Sequence, residues 1–339
     1  MSTKQLGIVV GVDGSPSSMA AVEWAAQDAE MRNIPLKLVH VVSPVEGDEP
    51  RPEIATPSDL ARWRQDWQRR IIEEAHKLAV DATSQSRASQ IAGEVLYGPI
   101  VAKLVDLSKQ ADLVVVGCRG QGSVACALLG SVSSGVVHHA HCPAAVIHDE
   151  DALAARSPRA PVVVGIDGSP ASELATEIAF DEASRRGVGL VALHAWSDMG
   201  PLNFGRPGQA PIEWANLEVR EEEVLAERLS GWRDRYPDVV VHKVVMCDRP
   251  AARLLEEADI AQLVVVGSHG RGGFPGRLLG SVSRAVVNSA QIPVIVARMP
   301  HQHGGAPDST DTTETDSGST RRDVASSGRL KRLGSGSQL

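Results

Sequence analysis

Short apolar runs alternate along the first half of the chain with longer stretches whose apolar positions recur at helical spacing. Residues 6–12 form one such run, ending at Asp13-Gly-Ser-Pro16, a turn sequence with proline placed to open a helix. The helix predicted behind it carries Ala20, Ala21, Trp24, Ala25 and Ala29 at helical spacing. A second strand is predicted over 35–42, followed by a Pro-rich loop and a long two-faced helix over 58–86. Strands over 91–97, 112–117 and 144–147, with helices over 101–109 and 132–140, complete the series. Strands separated by helices predict parallel pairing through right-handed crossovers.

The same series then returns. Ile8-Val-Val-Gly-Val-Asp13-Gly-Ser-Pro16 recurs as Val162-Val-Val-Gly-Ile-Asp167-Gly-Ser-Pro170, and Asp112-Leu-Val-Val-Val-Gly117 as Gln262-Leu-Val-Val-Val-Gly267. The six residues from Leu128 to Ser133 reappear unchanged as Leu278 to Ser283. Cys142-Pro-Ala-Ala-Val-Ile147 is matched by Ile292-Pro-Val-Ile-Val-Ala297. Four blocks in one order and at similar spacing identify a duplication. The expected organisation is one domain over 1–150, a linker over 151–160 and a second domain over 161–299. Residues 300–339 are rich in Ser, Thr, Gly, Asp and Arg with almost no apolar content, which predicts a disordered tail.

Composition fits this reading. Of the 339 residues, 42% are apolar but only 3% aromatic, so short aliphatic side chains must fill the cores, as in parallel sheets covered on both faces. The net charge of −8, without a clustered basic face, argues against nucleic acid as the main partner. No apolar stretch is long enough for membrane insertion, and the first residues lack the pattern of a signal peptide. Cys118, Cys126, Cys142 and Cys247 form no CxxC pair and divide three to one between the copies, as reduced cytoplasmic thiols would. The expected location is therefore the cytoplasm.

Open parallel sheets place ligands beyond the carboxyl ends of their strands, where strand order reverses. Two loops at such ends are unusual in each copy. One is the exit of the first strand, with Asp13 or Asp167. The other reads Gly117-Cys118-Arg119-Gly120-Gln121-Gly122-Ser123, then Gly130-Ser131-Val132-Ser133 at a helix start. Its counterpart is Gly267-Ser268-His269-Gly270-Arg271-Gly272-Gly273, then Gly280-Ser281-Val282-Ser283. Both fit G-x2-G-x9-G-S. Glycines allow close backbone approach with N–H groups turned to an anion, and a helix N-terminus adds donors and a favourable dipole. A phosphate chain is expected there. Asp13 and Asp167 are expected to accept from ribose hydroxyls. Taken alone, Asp-Gly-Ser-Pro is equally well read as a strand-to-helix turn with the aspartate as a local cap.

These motifs, each present twice, resemble those of the universal stress protein family, ATP-binding type, over essentially all of residues 6–298. The resemblance implies tandem Rossmann-like α/β domains (adenine nucleotide hydrolase-like), each a five-stranded parallel sheet of order 3-2-1-4-5. It implies ATP, with Mg2+, as cofactor and a nucleotide-dependent role in stress response or growth. Adenine is then expected against Val41 in the first copy and Ala195 in the second, with Gly11 and Gly165 lining the base and ribose pocket. Arg277 precedes the second Leu-Leu-Gly-Ser where the first copy has Ala127, so the second copy is expected to grip phosphate more strongly. The family's pairing through the fifth strand implies a two-fold arrangement and a homodimer, and regulation implies a protein partner.

No catalytic residue is assigned. A slow ATPase or phosphotransferase on the same fold is the alternative, but it needs a positioned metal and a group to orient the nucleophile, and no acidic residue is placed beside the glycine loop for that work. No G-x4-G-K-(S/T) occurs. The Gly120-Gln-Gly122-Ser-Val-Ala125 run follows the fourth strand rather than the first, unlike a dinucleotide fingerprint. His138, His139, His141 and Cys142 have no histidine counterpart in the second copy and are read as a solvated helix end rather than a metal site. Trp63 and Trp67, at helical spacing, are expected to pack.

Overall fold

The computed structural model describes residues 6–43, 57–120, 129–148, 157–195, 212–271 and 279–298. Most of the linker and the whole of the predicted tail lie outside the described residues. The first copy runs β1 (Ile8–Gly11), α1 (Pro16–Arg32), β2 (Leu36–Val42), α2 (Pro57–Asp81), β3 (Ile91–Tyr97), α3 (Ile100–Ser108), β4 (Leu113–Gly117), α4 (Ser131–His139) and β5 (Ala144–Ile147). The second runs β6 (Val162–Gly165), α5 (Pro170–Arg186), β7 (Leu190–Ala195), α6 (Ile212–Arg235), β8 (Val241–Met246), α7 (Pro250–Ala258), β9 (Leu263–Gly267), α8 (Ser281–Ser289) and β10 (Val294–Ala297).

The strands form one ten-stranded sheet of order β3-β2-β1-β4-β5-β10-β9-β6-β7-β8. Each half has the expected 3-2-1-4-5 order, and every pairing within a half is parallel. The halves meet antiparallel, with Val294, Ile295 and Val296 of β10 opposite Val146, Ala145 and Ala144 of β5. Because β1 and β6 are flanked by β4 and β9 on one side and by β2 and β7 on the other, strand order reverses there in each half.

Both faces of the sheet are covered. Ile8 and Val10 point to one layer with Trp24, Ala25 and Leu38, while Val9 points to the other with Val39, Leu104 and Val114. Each layer continues into the second copy, through Val164 and Phe180 on one face and Val163 and Val264 on the other. Two cross-seam contacts reinforce the strand pairing. Nδ1 and Nε2 of His148 each lie 3.0 Å from a carbonyl oxygen of the other half, those of Ile292 and Val287. In return, Arg298 donates to the carbonyls of Ala140 (2.9 Å) and Val137 (2.7 Å).

Helix boundaries follow local chemistry. Ser15 and Ser169 cap α1 and α5, each followed by proline in the first turn. Both helices end in a left-handed residue, Asn33 (φ 53°) and Gly187 (φ 62°). Two expectations are corrected: Trp63 and Trp67, expected to pack, stack on each other but stay exposed, and α2 stops at Asp81 instead of running to 86. The Thr83 hydroxyl donates back to the Ala79 carbonyl at 2.9 Å, occupying a helix-end acceptor. The Ser84 N–H and hydroxyl then turn to Glu30 of α1, and a 3-10 turn over Gln85–Gln90 follows. Arg87 locks that turn from within, donating to the Asn33 side chain and to the carbonyls of Ala29 and Ile34.

Candidate functional site

The strand exits beside the reversal open into two cavities, one per copy. The first, of about 350 Å3, is lined at one end by Gly11, Val39, Val41, Ile100, Leu104 and Val116 and at the other by Asp13, Arg119, Gly120 and Gly130 to Ser133. The second, of about 470 Å3, has Gly165, Leu193, His194, Ala195, Pro250 and Leu254 at its apolar end. Asp167, His269, Gly270, Arg271 and Gly280 to Ser283 line its polar end. The structure thus brings most of the sequence-predicted residues to one place in each copy.

Asp13 is set by its own turn. Its Oδ1 accepts from the Ser15 N–H (2.9 Å) and hydroxyl (2.6 Å), while Gly14 takes φ 81°, a region that favours glycine. Asp167 is built alike, with the Ser169 N–H at 2.9 Å and Gly168 at φ 78°. The local-turn reading of Asp-Gly-Ser-Pro is therefore correct for one carboxylate oxygen. The other oxygen faces the glycine loop. Asp167 Oδ2 accepts from the Arg271 N–H at 3.2 Å, and the Arg271 side chain donates to the Asp167 carbonyl. A Cβ on Gly120 would sit 2.6 Å from Asp13 Oδ2, so glycine there is what lets loop and carboxylate approach.

Gly117 and Gly267 line the two cavities and also serve a packing purpose that the motif did not reveal. Neither has a positive φ. A Cβ at Gly117 would lie 2.6 Å from the backbone of Ser17, and one at Gly267 2.9 Å from that of Ala171. These glycines let α1 and α5 press against the ends of β4 and β9. Hydroxyls tie the same joint. Ser17 donates to the Arg119 carbonyl at 2.5 Å and Ser169 to the His269 carbonyl at 3.2 Å.

The helices at the polar ends differ from α1 and α5 in one respect: their N-cap residues are glycines, Gly130 and Gly280, and among the described residues no side-chain cap bond is made at either. Their first N–H groups face the cavities with the positive end of the helix dipole. Ser133 and Ser283 do not add hydroxyl donors to that end, because each donates inward to the carbonyl of Gly117 (2.6 Å) or Gly267 (2.5 Å). Cys118 and Ser268 are buried rather than exposed to the cavities, and their carbonyls accept from Gly130 and Gly280. Gln121, Gly122, Ser123, Gly272, Gly273 and Arg277 lie outside the described residues.

Two residues that the motifs did not reveal stand beside the aspartates. His40 Nδ1 donates to the Val12 carbonyl at 2.7 Å, and His194 Nδ1 to the Ile166 carbonyl at 2.6 Å. They fix the segment just before each aspartate. His194 also lies 2.9 Å from Glu221 Oε2 of α6. Their shared place at the end of β2 and β7 was a repeat signal in the sequence, hidden by the variation around it. Among the described residues no group of three or more His, Cys, Asp or Glu is arranged to hold a metal ion, and no helix is long and apolar enough to cross a membrane.

This arrangement defines a class: duplicated doubly wound α/β proteins with a cleft at the switch point of each half. A profile described as Universal stress protein family matches residues 7–148 and 159–298. Universal stress protein Rv1996 of Mycobacterium tuberculosis is 64% identical over 315 residues, covering 88% of this chain and 98% of that protein. Universal stress protein Rv2623 of the same species is 52% identical over 299 residues, covering 86% and 96%. The crystal structure of a universal stress protein from Archaeoglobus fulgidus, 21% identical, shares the fold with a TM-score of 0.59 over 86% of this chain and 98% of its own. The chain belongs to the universal stress protein family, as a tandem member.

Proposed function

We propose that each copy binds one adenine nucleotide, ATP with Mg2+, and that the chain acts as a nucleotide-dependent regulator of stress response or growth rather than as an enzyme. One observation carries this reading: the same convergence of an aspartate, a helix N-terminus with a glycine N-cap and an apolar wall occurs in both cavities. Their volumes of about 350 and 470 Å3 fall in the range of small-ligand sites. The phosphates would meet the first turn of α4 or α8, where amide donors and the dipole favour an anion. The base would lie between Val41, Ile100 and Leu104, or between Ala195, Pro250 and Leu254, and the ribose beside Asp13 or Asp167.

The donor set suits a magnesium ion carried in on the phosphates, since the described residues offer only Asp13 or Asp167 and Ser131 or Ser281 near it. The slow ATPase remains the second reading. Against it stands the use of Asp13 Oδ1 and Asp167 Oδ1 in their own turns, which leaves one oxygen of each aspartate, Oδ2, on the side of the glycine loop. We take residues 1–150 and 161–299 as the two domains. Their fifth-strand seam is already used within the chain, so the homodimer and the regulatory partner are assigned to other surfaces, in the cytoplasm.

The test is mass spectrometry of small molecules released from the gently denatured full chain. ATP at a substantial fraction of two equivalents supports the proposal. A different nucleotide, or a chain that neither retains nor rebinds ATP, contradicts it.

A further inference from the structure

Beneath the seam, α1 and α5 cross where four ionisable side chains meet. Asp28 and Glu182 are fully buried there, and Arg32 and Arg186 nearly so. Within α1, Arg32 Nε donates to Asp28 Oδ2 at 2.7 Å; within α5, Arg186 Nε donates to Glu182 Oε2 at 2.9 Å. Across the seam, Arg32 reaches Glu182, and Arg186 Nη2 reaches Asp28 Oδ1 at 3.2 Å. Arg186 also lies over the Trp24 ring at 5.5 Å. At the rim, Asp181 pairs with Arg185 and stands 4.0 Å from Arg32.

Two carboxylates held side by side in a dry seam repel each other, and the arginines offset this only in part. Burial, then Glu182, pushes the Asp28 carboxyl up to about 6, against the pull of Arg32 and Arg186. Burial also works to raise Glu182, but Arg186 and Arg32 outweigh it and hold that carboxyl below its ordinary value. The first proton therefore enters at Asp28, where the neutral carboxyl can donate to Glu182.

We propose that the Asp28–Arg32–Glu182–Arg186 cluster is a proton-linked clasp between the two repeats, tighter in mildly acidic than in neutral or alkaline solution. The sign follows from linkage. Asp28 titrates near 3.8 in the unfolded chain and about 6 in the folded one. The folded state thus binds the extra proton between those values, and its contribution, full below the lower value, is lost as pH rises through the upper. Glu182 acts in the opposite sense, but only as pH falls below its own ordinary range, so within the cluster it is Asp28 that responds between pH 5 and 8. The clasp does not depend on what the cavities hold.

The test is thermal unfolding of the full chain from pH 5 to 8 for the wild type, Asp28→Asn, Glu182→Gln and His148→Gln. Asparagine mimics the protonated carboxyl, so Asp28→Asn should melt above the wild type at pH 8, the gap starting to narrow as pH falls through about 6 and still narrowing at pH 5. Glu182→Gln removes the neighbouring negative charge and should move the onset of narrowing to lower pH, leaving the contribution of burial. His148→Gln removes another titratable contact at the seam and should leave that onset in place. Parallel melting curves for wild type and Asp28→Asn across the range would overturn the proposal. Should Asp28→Asn not fold, carboxyl 13C spectra of the wild type decide: an aspartate resonance titrating near pH 6 supports the clasp, and none titrating above pH 5 overturns it.

Discussion

Asp13 and Asp167 each divide their carboxylate between two tasks. One oxygen holds the turn through the N–H of Ser15 or Ser169, and the other faces the glycine loop and cavity. Exchange for alanine would remove both functions at once. Asparagine keeps an acceptor for the turn and removes the charge. We predict that Asp13→Asn and Asp167→Asn each weaken ATP at their own site by roughly 1–3 kcal/mol, the usual range for losing a charged acceptor, with little change in unfolding midpoint. Calorimetry on each variant checks this. Unchanged affinity at the substituted site would remove the aspartate from the binding scheme. The motifs exposed these residues because the aspartate and glycines recur in both copies. They did not expose the role of Gly117, which depends on the backbone of Ser17, a hundred positions away in sequence.

At the scale of elements, α1 and α5 bear on the sites through their first turns. Ser15 caps α1, donates to Asp13 and also reaches the Arg119 carbonyl at 3.3 Å; Ser169 caps α5 and reaches the His269 carbonyl. We predict that Ser15→Ala and Ser169→Ala each cost about 0.5–2 kcal/mol of stability, the range for a lost N-cap. Ser15→Ala should cost the more, since it also loses the contact with Asp13. Urea unfolding of the two variants is the check, and equal or absent effects would contradict it. The strands and most helices were legible from period alone, because aliphatic runs alternate with helical patterns in both copies. The end of α2 was not. Its sequence continues helix-compatible past Asp81, and the chain leaves the helix through contacts of Ser84 and Arg87 with α1 that no local pattern encodes.

For the whole molecule, duplication is joined to a seam. The sheet's fifth strands pair antiparallel, and His148, Arg298 and the four-charge cluster all cross between the halves. The repeat was plain in the sequence. The seam was not, because Asp28 and Glu182 occupy matching helix positions that become neighbours only when the two copies face each other. That arrangement leaves both cavities outside the seam, one in each half, so the full chain should hold two nucleotides. Calorimetric titration of the full chain with ATP and Mg2+ tests it most directly. Two nucleotides per chain at saturation, falling to one when Gly130→Trp or Gly280→Trp blocks a cavity, is the predicted result. Fewer than one site per chain in the unmodified protein would contradict the account.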